Sequence, residues 1–380
     1  MLEYLHIKRF KTLLNNGFAL SHLNLFSGLN GMGKSSVLQM LLLLRQSYEN
    51  NLLFSKGLML EGDYLNLGTG IDVLSADVEE ESICCLLKWS EFKDSLDFCF
   101  DYASEANLQP ILKPIFNLEN YQTLHSPMLI YNDVPLFNMS FQYLSAERLG
   151  PKTNYKLSDF HINTLNTLGN QGEYTAHFLA EKKDQKIPIP SLKHPLAPAQ
   201  DLLSNVEAWM SEISPGLKIK TVKNPGMNLV SLNYAFVQGK DLTNDYKPQN
   251  VGFGLTYALP VVTSILRSRP LDLLLIENPE SHLHPAGQVM LGRLCALAAT
   301  AGVQLLIESH SDHFLNGVRV AVKQGLISPE NVKLFFLERS KDSPLHASDV
   351  IQPVIDQDGR IDTWPPGFFD EWEQQLDQLL

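Results

Sequence analysis

A glycine-rich segment near the start of the chain has the residue types and spacing of a phosphate-binding loop. Gly28 and Gly33 bracket four residues and are followed by Lys34 and Ser35, which is the Walker A pattern. In such a loop backbone N–H groups surround phosphate oxygens, the lysine neutralises the β- and γ-phosphates, and the serine hydroxyl binds Mg²⁺. The predicted ligands are therefore ATP and Mg²⁺. The predicted nucleotide contacts are Gly28, Leu29, Asn30, Gly31, Met32, Gly33, Lys34, Ser35 and Ser36.

Acidic residues at the end of an apolar strand could complete this site. The apolar run Leu273–Ile276 is followed by Glu277, Asn278 and Glu280. Glu277 has the position of a Walker B acid, so we expect Ser35 and Glu277 to be the metal contacts. Glu280 or Asn278 would orient the attacking water. The alternative is an ordinary strand that ends in solvated acids.

A histidine follows a second apolar strand in the same way, because Leu305–Ile307 leads into Glu308, Ser309 and His310. Ligands collect at the carboxyl ends of parallel strands, so we expect His310 to contact the γ-phosphate. The candidate catalytic residues are therefore Glu277, Asn278, Glu280 and His310.

The histidines also allow a different hypothesis, a zinc-dependent hydrolase. His282 and His284, together with His310 and His313, have the residue types that bind Zn²⁺. That hypothesis competes for residues of the nucleotide site and leaves the Walker A segment unexplained.

The elements that must position these residues are visible in the pattern of apolar residues. Strands are predicted at Leu2–Phe10, Phe18–Phe26 and Met128–Leu144, with a turn at 15–17 between the first two. From residue 254 onward helices and strands alternate, which indicates parallel strands covered by helices. We therefore expect an N-terminal ATPase lobe at 1–150, a helical, loop-rich insertion at 151–245, and a C-terminal ATPase lobe at 246–380.

Length and composition narrow the class of protein. At about 150 residues per domain, the 380 residues suggest two domains or one large domain with insertions. A content of 44% hydrophobic and 19% charged residues is typical of a folded chain. The net charge of −12 argues against a nucleic-acid coat or a cationic membrane binder. Residues 342–380 hold nine acids and one base, so this acid-rich tail either binds a basic partner or is a solvated surface.

The cysteines and the apolar runs indicate the compartment. The four cysteines form no C-x-x-C pair, so we expect buried free thiols in a reducing cytoplasm. The first residues lack the apolar core of a signal peptide, and the run Val37–Leu44 is far too short to span a membrane. A cytoplasmic protein without membrane contact is expected.

Together these motifs resemble the ABC-type ATPase heads of the RecF/SMC and OLD (overcoming lysogenization defect) families. Besides Walker A, the resemblance is carried by Ile7–Lys11, Tyr143–Arg148, Glu277–Pro285, Glu308–Ser311 and Trp364–Glu371. It implies an α/β P-loop NTPase with an ABC-type head, whose mixed sheet core carries a helical and loop insertion. The ending Trp364–Glu371 is similar to that of stand-alone bacterial ATPases, several of which occur in phage-defence operons.

The resemblance further implies a signature loop at Asn250–Gly254. In the family this loop reaches the γ-phosphate of ATP bound by the opposite subunit, so Asn250, Gly252 and Gly254 are candidate nucleotide contacts. Such heads form homodimers with composite ATP sites.

The sequence departs from the family pattern at several positions. Asn250 stands where the signature usually has serine, and Glu277 where Walker B usually has aspartate. Asn278 takes the place of the catalytic glutamate, so either Glu280 acts as the base or hydrolysis is slow. The segment that best matches the Q-loop of the family is Asn66–Thr69.

The resemblance implies an ATPase that gates or activates a separate effector, a nuclease or toxin, in anti-phage defence. The chain lacks the heptads of a long coiled coil and the acidic constellation of a toprim nuclease. The alternative is a low-turnover, ATP-dependent sensor that binds DNA or phage components, which Asn278 favours.

Overall fold

A computed structural model describes residues 1–76, 78–91, 95–112, 133–341, 346–369, 375–376 and 378–379. The chain forms two compact units, each of which combines segments that are separated in the sequence. The first unit comprises Met1–Asn138, Val332–Val354 and Ile361–Leu380, and the second comprises Met139–Asn331 and Ile355–Arg360. Within the described ranges, no helix is both long and apolar enough to cross a membrane.

The first unit contains one long described helix and nine strands. The helix is α1 (Lys34–Glu49). The strands are β1 (Leu2–Phe10), β2 (Leu13–Ala19), β3 (Leu23–Gly28), β4 (Gly57–Met59), β5 (Ser82–Trp89), β6 (Leu96–Asp101), β7 (Leu108–Pro110), β15 (Val332–Arg339) and β16 (Ser348–Ile351). An antiparallel sheet has the order β2-β1-β5-β6, and β4 pairs with β7.

The predicted turn at 15–17 is wrong, because these residues lie inside β2 and pair with β1. The register places Phe18 opposite Leu5 and Leu13 opposite Phe10, and all four side chains are fully buried. Burial of this apolar set fixes the register more strongly than the local turn preference of Asn-Gly does. Gly17 serves a different purpose, since a Cβ there would overlap the Tyr4 hydroxyl.

The strand before the phosphate loop belongs to a second set of strands in the same unit. β3 runs parallel to β15, from Leu23 beside Val332 to Gly28 beside Leu337, and β15 pairs antiparallel with β16. Helix α1 is apolar almost all round, as predicted, and its Val37–Leu44 segment is buried apart from Gln39. The strand–loop–helix context that Walker A requires is therefore present.

The second unit contains seven described strands and five described α-helices. The strands are β8 (Phe141–Leu144), β9 (Asn154–Lys156), β10 (Leu217–Asn224), β11 (Leu229–Gln238), β12 (Asp241–Leu242), β13 (Leu273–Glu277) and β14 (Gln304–Glu308). The helices are α2 (Thr175–Lys182), α3 (Leu202–Ser211), α4 (Phe253–Arg267), α5 (Pro285–Thr300) and α6 (Asp312–Lys323).

Parallel pairing in the second unit brings the candidate catalytic segments to one edge. β13 pairs in parallel with β8 on one side and with β14 on the other, and Glu277 lies beside Glu308 in the register. The alternation of helices and strands predicted from residue 254 onward is present, because α4, β13, α5, β14, α6 and β15 follow one another along the chain. β10, β11 and β9 form a separate antiparallel sheet.

Two predicted segments fall partly outside the described residues. Of the predicted strand Met128–Leu144, residues 128–132 are not described, and within the described part, 133–144, the strand is Phe141–Leu144. The last two residues of Trp364–Glu371, Asp370 and Glu371, are also outside the described ranges.

The expectation of four free thiols is wrong for two cysteines. Cys84 on β5 and Cys99 on β6 face each other in the antiparallel register and form a disulfide. Cys85 and Cys295 are buried free thiols, as expected. A cross-strand pair separated by 15 residues has no local spacing signature, so the sequence did not reveal it.

Candidate nucleotide-binding site

Two glycines of the phosphate loop lie at positions where the backbone conformation and the neighbouring atoms exclude a side chain. Gly28 has φ 140°, and a Cβ there would overlap the Leu337 carbonyl oxygen on the paired strand β15. Gly33 has φ 83°, and a Cβ there would lie 2.5 Å from the Thr12 hydroxyl. The spacing of these two glycines therefore follows from packing as well as from the need to expose N–H groups.

The interior of the loop is shaped to receive an anion. No atom lies within 4 Å of a Cβ placed at Gly31. Helix α1 begins at Lys34, and its N-cap residue Gly33 supplies no side-chain hydrogen bond to the first turn. The N–H groups of a helix start bind phosphate well. The buried Lys34 ammonium donates to the Leu29 carbonyl at 2.9 Å, so it already lies over the loop.

A serine near the other end of the chain anchors this loop. The Ser348 hydroxyl donates to the Met32 carbonyl at 3.0 Å, and its backbone N–H donates to the Thr12 carbonyl at 2.9 Å. Asn16 donates in turn to the Ser348 carbonyl. The sequence analysis missed Ser348, because 316 residues separate it from Met32 and no local pattern links the two.

The predicted Walker B acid, Glu277, is positioned by the segment that follows β8. A Glu277 carboxylate oxygen accepts a hydrogen bond from the Ala146 N–H at 3.0 Å. The buried Arg148 guanidinium donates to the carbonyls of Glu277, at 2.8 Å, and of Asn278. Burial raises the pKa of Glu277 above its ordinary value, although the Ala146 N–H, the Tyr143 hydroxyl and Arg148 lower it. In the sequence, the only indication that Arg148 belongs to this site is the family resemblance carried by Tyr143–Arg148.

Glu280 links the two strand ends. Its carboxylate accepts a hydrogen bond from the His310 backbone N–H at 2.8 Å, and burial raises its pKa above the ordinary value. Asn278 has φ 43° and donates its N–H to the Glu308 carbonyl at 2.8 Å. The Asn278 side-chain oxygen is buried and accepts no hydrogen bond from any described residue. An orphaned buried acceptor of this kind suits a bound water.

The histidine predicted to contact phosphate lies beside these acids. The His310 ring is 43% exposed, and its Nε2 lies 3.9 Å from a Glu308 carboxylate oxygen. The structure thus brings Glu277, Asn278, Glu280 and His310 together at the ends of β13 and β14. The phosphate loop belongs to the first unit, and these residues belong to the second.

The proposed signature loop leads directly into α4. Gly252 is the N-cap of this helix and supplies no side-chain cap, and no atom lies within 4 Å of a Cβ placed there. A Cβ at Gly254 would instead lie 2.5 Å from the His282 carbonyl oxygen. Asn250 is exposed at the start of the loop. Gly254 is therefore required by packing within the chain, whereas Gly252 faces open space.

The zinc hypothesis gains no support from side-chain geometry. Across the described ranges, no group of three or more histidine, cysteine, aspartate or glutamate side chains could hold a metal ion. His282 is instead in ring contact with Tyr257 and Phe253.

Residues 100–316 match the family described as "AAA domain, putative AbiEii toxin, Type IV TA system". The match covers more than half of the chain and includes the signature, Walker B and histidine segments. The chain belongs to this AAA domain family. Residues 327–379 match a second family, described as "Protein of unknown function (DUF3696)". No curated protein matches the sequence.

A solved SMC head shares the fold of this AAA domain protein, and a second SMC head is less similar. An SMC head bound to the C-terminal winged-helix domain of ScpA is 11% identical, with a TM-score of 0.51, over 94% of this chain and 98% of that chain. The SMC head domain from Thermotoga maritima is 10% identical, with a TM-score of 0.44, over 92% of this chain and 98% of that chain. The predicted fold class, an α/β P-loop NTPase with an SMC-like head, is confirmed.

Proposed function

We propose that this protein binds and hydrolyses ATP, dimerises around the nucleotide, and thereby gates a separate effector. The observation that carries the proposal is the phosphate loop, in which the Lys34 ammonium donates to the Leu29 carbonyl, Gly33 supplies no side-chain cap to the helix start, and open space surrounds Gly31. Membership of an AAA domain family and the SMC-head fold support the same function.

The residues of the phosphate loop would bind the nucleotide. Loop N–H groups and Lys34 would bind the phosphates, and the Ser35 hydroxyl and Glu277 carboxylate offer the oxygen ligands that Mg²⁺ prefers. When bound, the metal neutralises charge that develops on the transferred phosphoryl group. His310 would contact the γ-phosphate through its exposed ring.

Glu280 is the proposed general base, because it is a buried carboxylate two residues beyond Asn278, whose buried side-chain oxygen accepts no hydrogen bond from a described residue. Its raised pKa brings it closer to the proton affinity that base catalysis needs at neutral pH. The Asn278 side-chain oxygen would hold the attacking water by accepting a hydrogen bond from it. Because an amide cannot take the proton of that water, the base must be another residue.

The exposure of the proposed signature loop supports dimerisation around the nucleotide. Asn250 and Gly252 are exposed, and the start of α4 lacks a side-chain cap, so its N–H groups can bind an external phosphate. We infer that two chains pair head to tail, each covering the other's nucleotide, in a closed two-fold dimer.

The proposed effector is a nuclease or toxin in a defence system against phage. The toxin–antitoxin context in the family description supports this role. An SMC head of similar fold was solved bound to a domain of ScpA, which supports the proposal of a separate protein partner. The second candidate is a slow ATP-dependent sensor of DNA or phage components, which is favoured by the amide at Asn278.

Mixing two inactive variants tests the composite site. Lys34→Ala should abolish ATP binding, and Gly252→Asp should bind ATP but place a carboxylate against the partner's phosphate. Neither should release phosphate alone, whereas an equal mixture should recover about a quarter of wild-type activity through heterodimers with one intact site. Lys56→Ala, at an exposed lysine, is the matched control and should be fully active.

Three results would contradict the proposal: ATP binding by Lys34→Ala at wild-type affinity, an inactive mixture despite an active wild type, or a wild-type monomer with bound ATP. Phosphate release with and without DNA separates the two candidate functions. If the protein is a sensor, we expect very slow phosphate release whose rate changes when DNA is added. If it is an effector-gating ATPase, we expect the protein to release phosphate without DNA.

A further inference from the structure

A pocket of about 520 Å³ begins at the signature loop in the second unit. Asn250 and Gly252 form one side, and the remaining lining is largely apolar or aromatic. That lining includes Phe236, Tyr246, Leu255 and Leu283, with the exposed His282 and His284 at the mouth. None of the described lining residues carries a carboxylate. The pocket is therefore suited to an apolar or aromatic occupant rather than a cation.

The first unit presents an apolar surface beside its phosphate loop. Leu29, in the loop itself, is 59% exposed, and Trp364 is 44% exposed. A Cβ at Gly367 would lie 3.8 Å from the Leu29 side chain, so the segment 364–369 runs next to the loop. We call Leu29, Trp364 and Phe369 the aromatic patch.

The aromatic patch is held firmly in the first unit. Phe368 is buried, and its ring packs against Phe336 on β15 at 5.5 Å between centroids. The Trp364 ring contacts Phe368 at 5.4 Å, and the Phe369 ring contacts it at 5.0 Å. An exposed aromatic side chain on a buried aromatic anchor is already ordered, so little conformational entropy is lost when it binds.

We propose that, in the ATP-bound dimer, the aromatic patch of one copy docks into the pocket beside the signature loop of the other. This inference rests on the proposed head-to-tail pairing, in which each signature loop covers the phosphate loop of its partner. The pocket starts at residues of the signature loop, and the aromatic patch starts at a residue of the phosphate loop. Head-to-tail pairing therefore places the pocket of one copy beside the aromatic patch of the other.

The chemistry of the two surfaces favours a second copy over a free ligand. Trp364 and Phe369 offer ring faces and edges to Phe236, Tyr246 and the histidines, which is the pairing that aromatic groups prefer. A two-fold dimer would contain two such contacts, and each buried aromatic side chain removes about 150–250 Å² from water. The expected effect is tighter dimerisation, with no effect on ATP binding by the separated chain.

Truncation of Trp364 tests this contact. Dimer dissociation constants are measured by sedimentation with ATPγS for wild type, Trp364→Ala and the matched control Trp364→Phe. Loss of a central aromatic anchor typically weakens association by about tenfold to a hundredfold. We expect that loss for Trp364→Ala, near-wild-type dimerisation for Trp364→Phe, and equal ATPγS affinity for all three chains at monomer concentrations.

The outcomes separate this inference from the proposed function. Equal dimerisation of all three chains with ATPγS would overturn the docking of the aromatic patch and leave the composite ATP site intact. A wild type that stays monomeric with bound ATPγS would overturn both.

A cross-link provides a second test that does not truncate the patch. Chains carrying Thr363→Cys are mixed with chains carrying Ser214→Cys, which lie beside Trp364 and in the pocket lining, respectively. The native free thiols Cys85 and Cys295 are buried and serve as an internal control. We expect a disulfide between the two chains only with ATPγS. Absence of that disulfide in a mixture that does dimerise would overturn the proposal.

Discussion

The Glu280 carboxylate accepts a hydrogen bond from the His310 backbone N–H at 2.8 Å, which connects the turn after β13 to the turn after β14. Glu280 lies three residues beyond the Walker B acid, and His310 follows the neighbouring strand. A change in the charge of Glu280 would therefore act directly on His310, the residue proposed to contact the γ-phosphate.

Replacement of Glu280 should slow hydrolysis more than replacement of Asn278. A general base contributes about 10²–10⁴-fold to the rate, so Glu280→Gln should lose activity in that range. Asn278→Ala should cost less, because it removes only an acceptor for the water. Single-turnover phosphate release at saturating ATP measures both. A larger loss for Asn278→Ala would mean that the base is another residue.

The same substitution should change how stability depends on pH. The raised pKa of Glu280 means that its buried charged form disfavours the folded state, so wild-type stability falls as pH rises through that pKa. Glutamine does not titrate. Glu280→Gln should therefore unfold at a higher temperature than wild type at pH 8, and the difference should shrink at pH 5. Thermal unfolding at both pH values checks this, and a constant difference would contradict it.

Arg148 should contribute strongly to stability, because its guanidinium satisfies the carbonyls of Glu277 and Asn278. Arg148→Ala should lower the free energy of unfolding by about 3 kcal/mol, since buried carbonyls lose their donors. Arg269→Ala, at an exposed position in the same unit, should have little effect. Urea denaturation compares the two, and equal midpoints would show that water replaces the guanidinium.

The two glycines around the start of α4 should respond in opposite ways. Gly254→Ala places a methyl against the His282 carbonyl and should destabilise the chain by about 1–3 kcal/mol. Gly252→Ala enters open space and should leave stability unchanged, but it should reduce hydrolysis if a partner nucleotide lies there. Thermal unfolding and phosphate release together separate these effects. Full activity of Gly252→Ala would argue against close approach by a nucleotide.

Local patterns in the sequence were sufficient to predict much of the fold and the motif segments. The Walker A segment lies between β3 and α1, and Glu277 and Glu308 end neighbouring parallel strands. These features depend on short-range rules, namely glycine backbone freedom, apolar runs and the edge where parallel strands end. Such rules act within about twenty residues, so one sequence displays them.

Features that depend on distant residues could not be predicted. The Asn-Gly segment predicts a turn but lies within β2, because burial of Phe18 and Leu13 sets the register of β2 against β1. The Cys84–Cys99 disulfide depends on strand pairing, and the contacts of Arg148 depend on β8 lying beside β13. In each case tertiary packing, rather than local preference, determines the outcome.

The anchoring of the phosphate loop by Ser348 has a consequence for synthesis of the protein. Met32 leaves the ribosome 316 residues before its hydrogen-bond partner does. At about 5–20 residues per second, the loop waits roughly 15–60 s for this anchor. β3 likewise gains its parallel neighbour β15 only when Val332–Arg339 has been translated. The nascent chain therefore exposes its predicted nucleotide motif early but gains the supporting structure only after β15 and Ser348 have been translated, so a product truncated before them lacks that support.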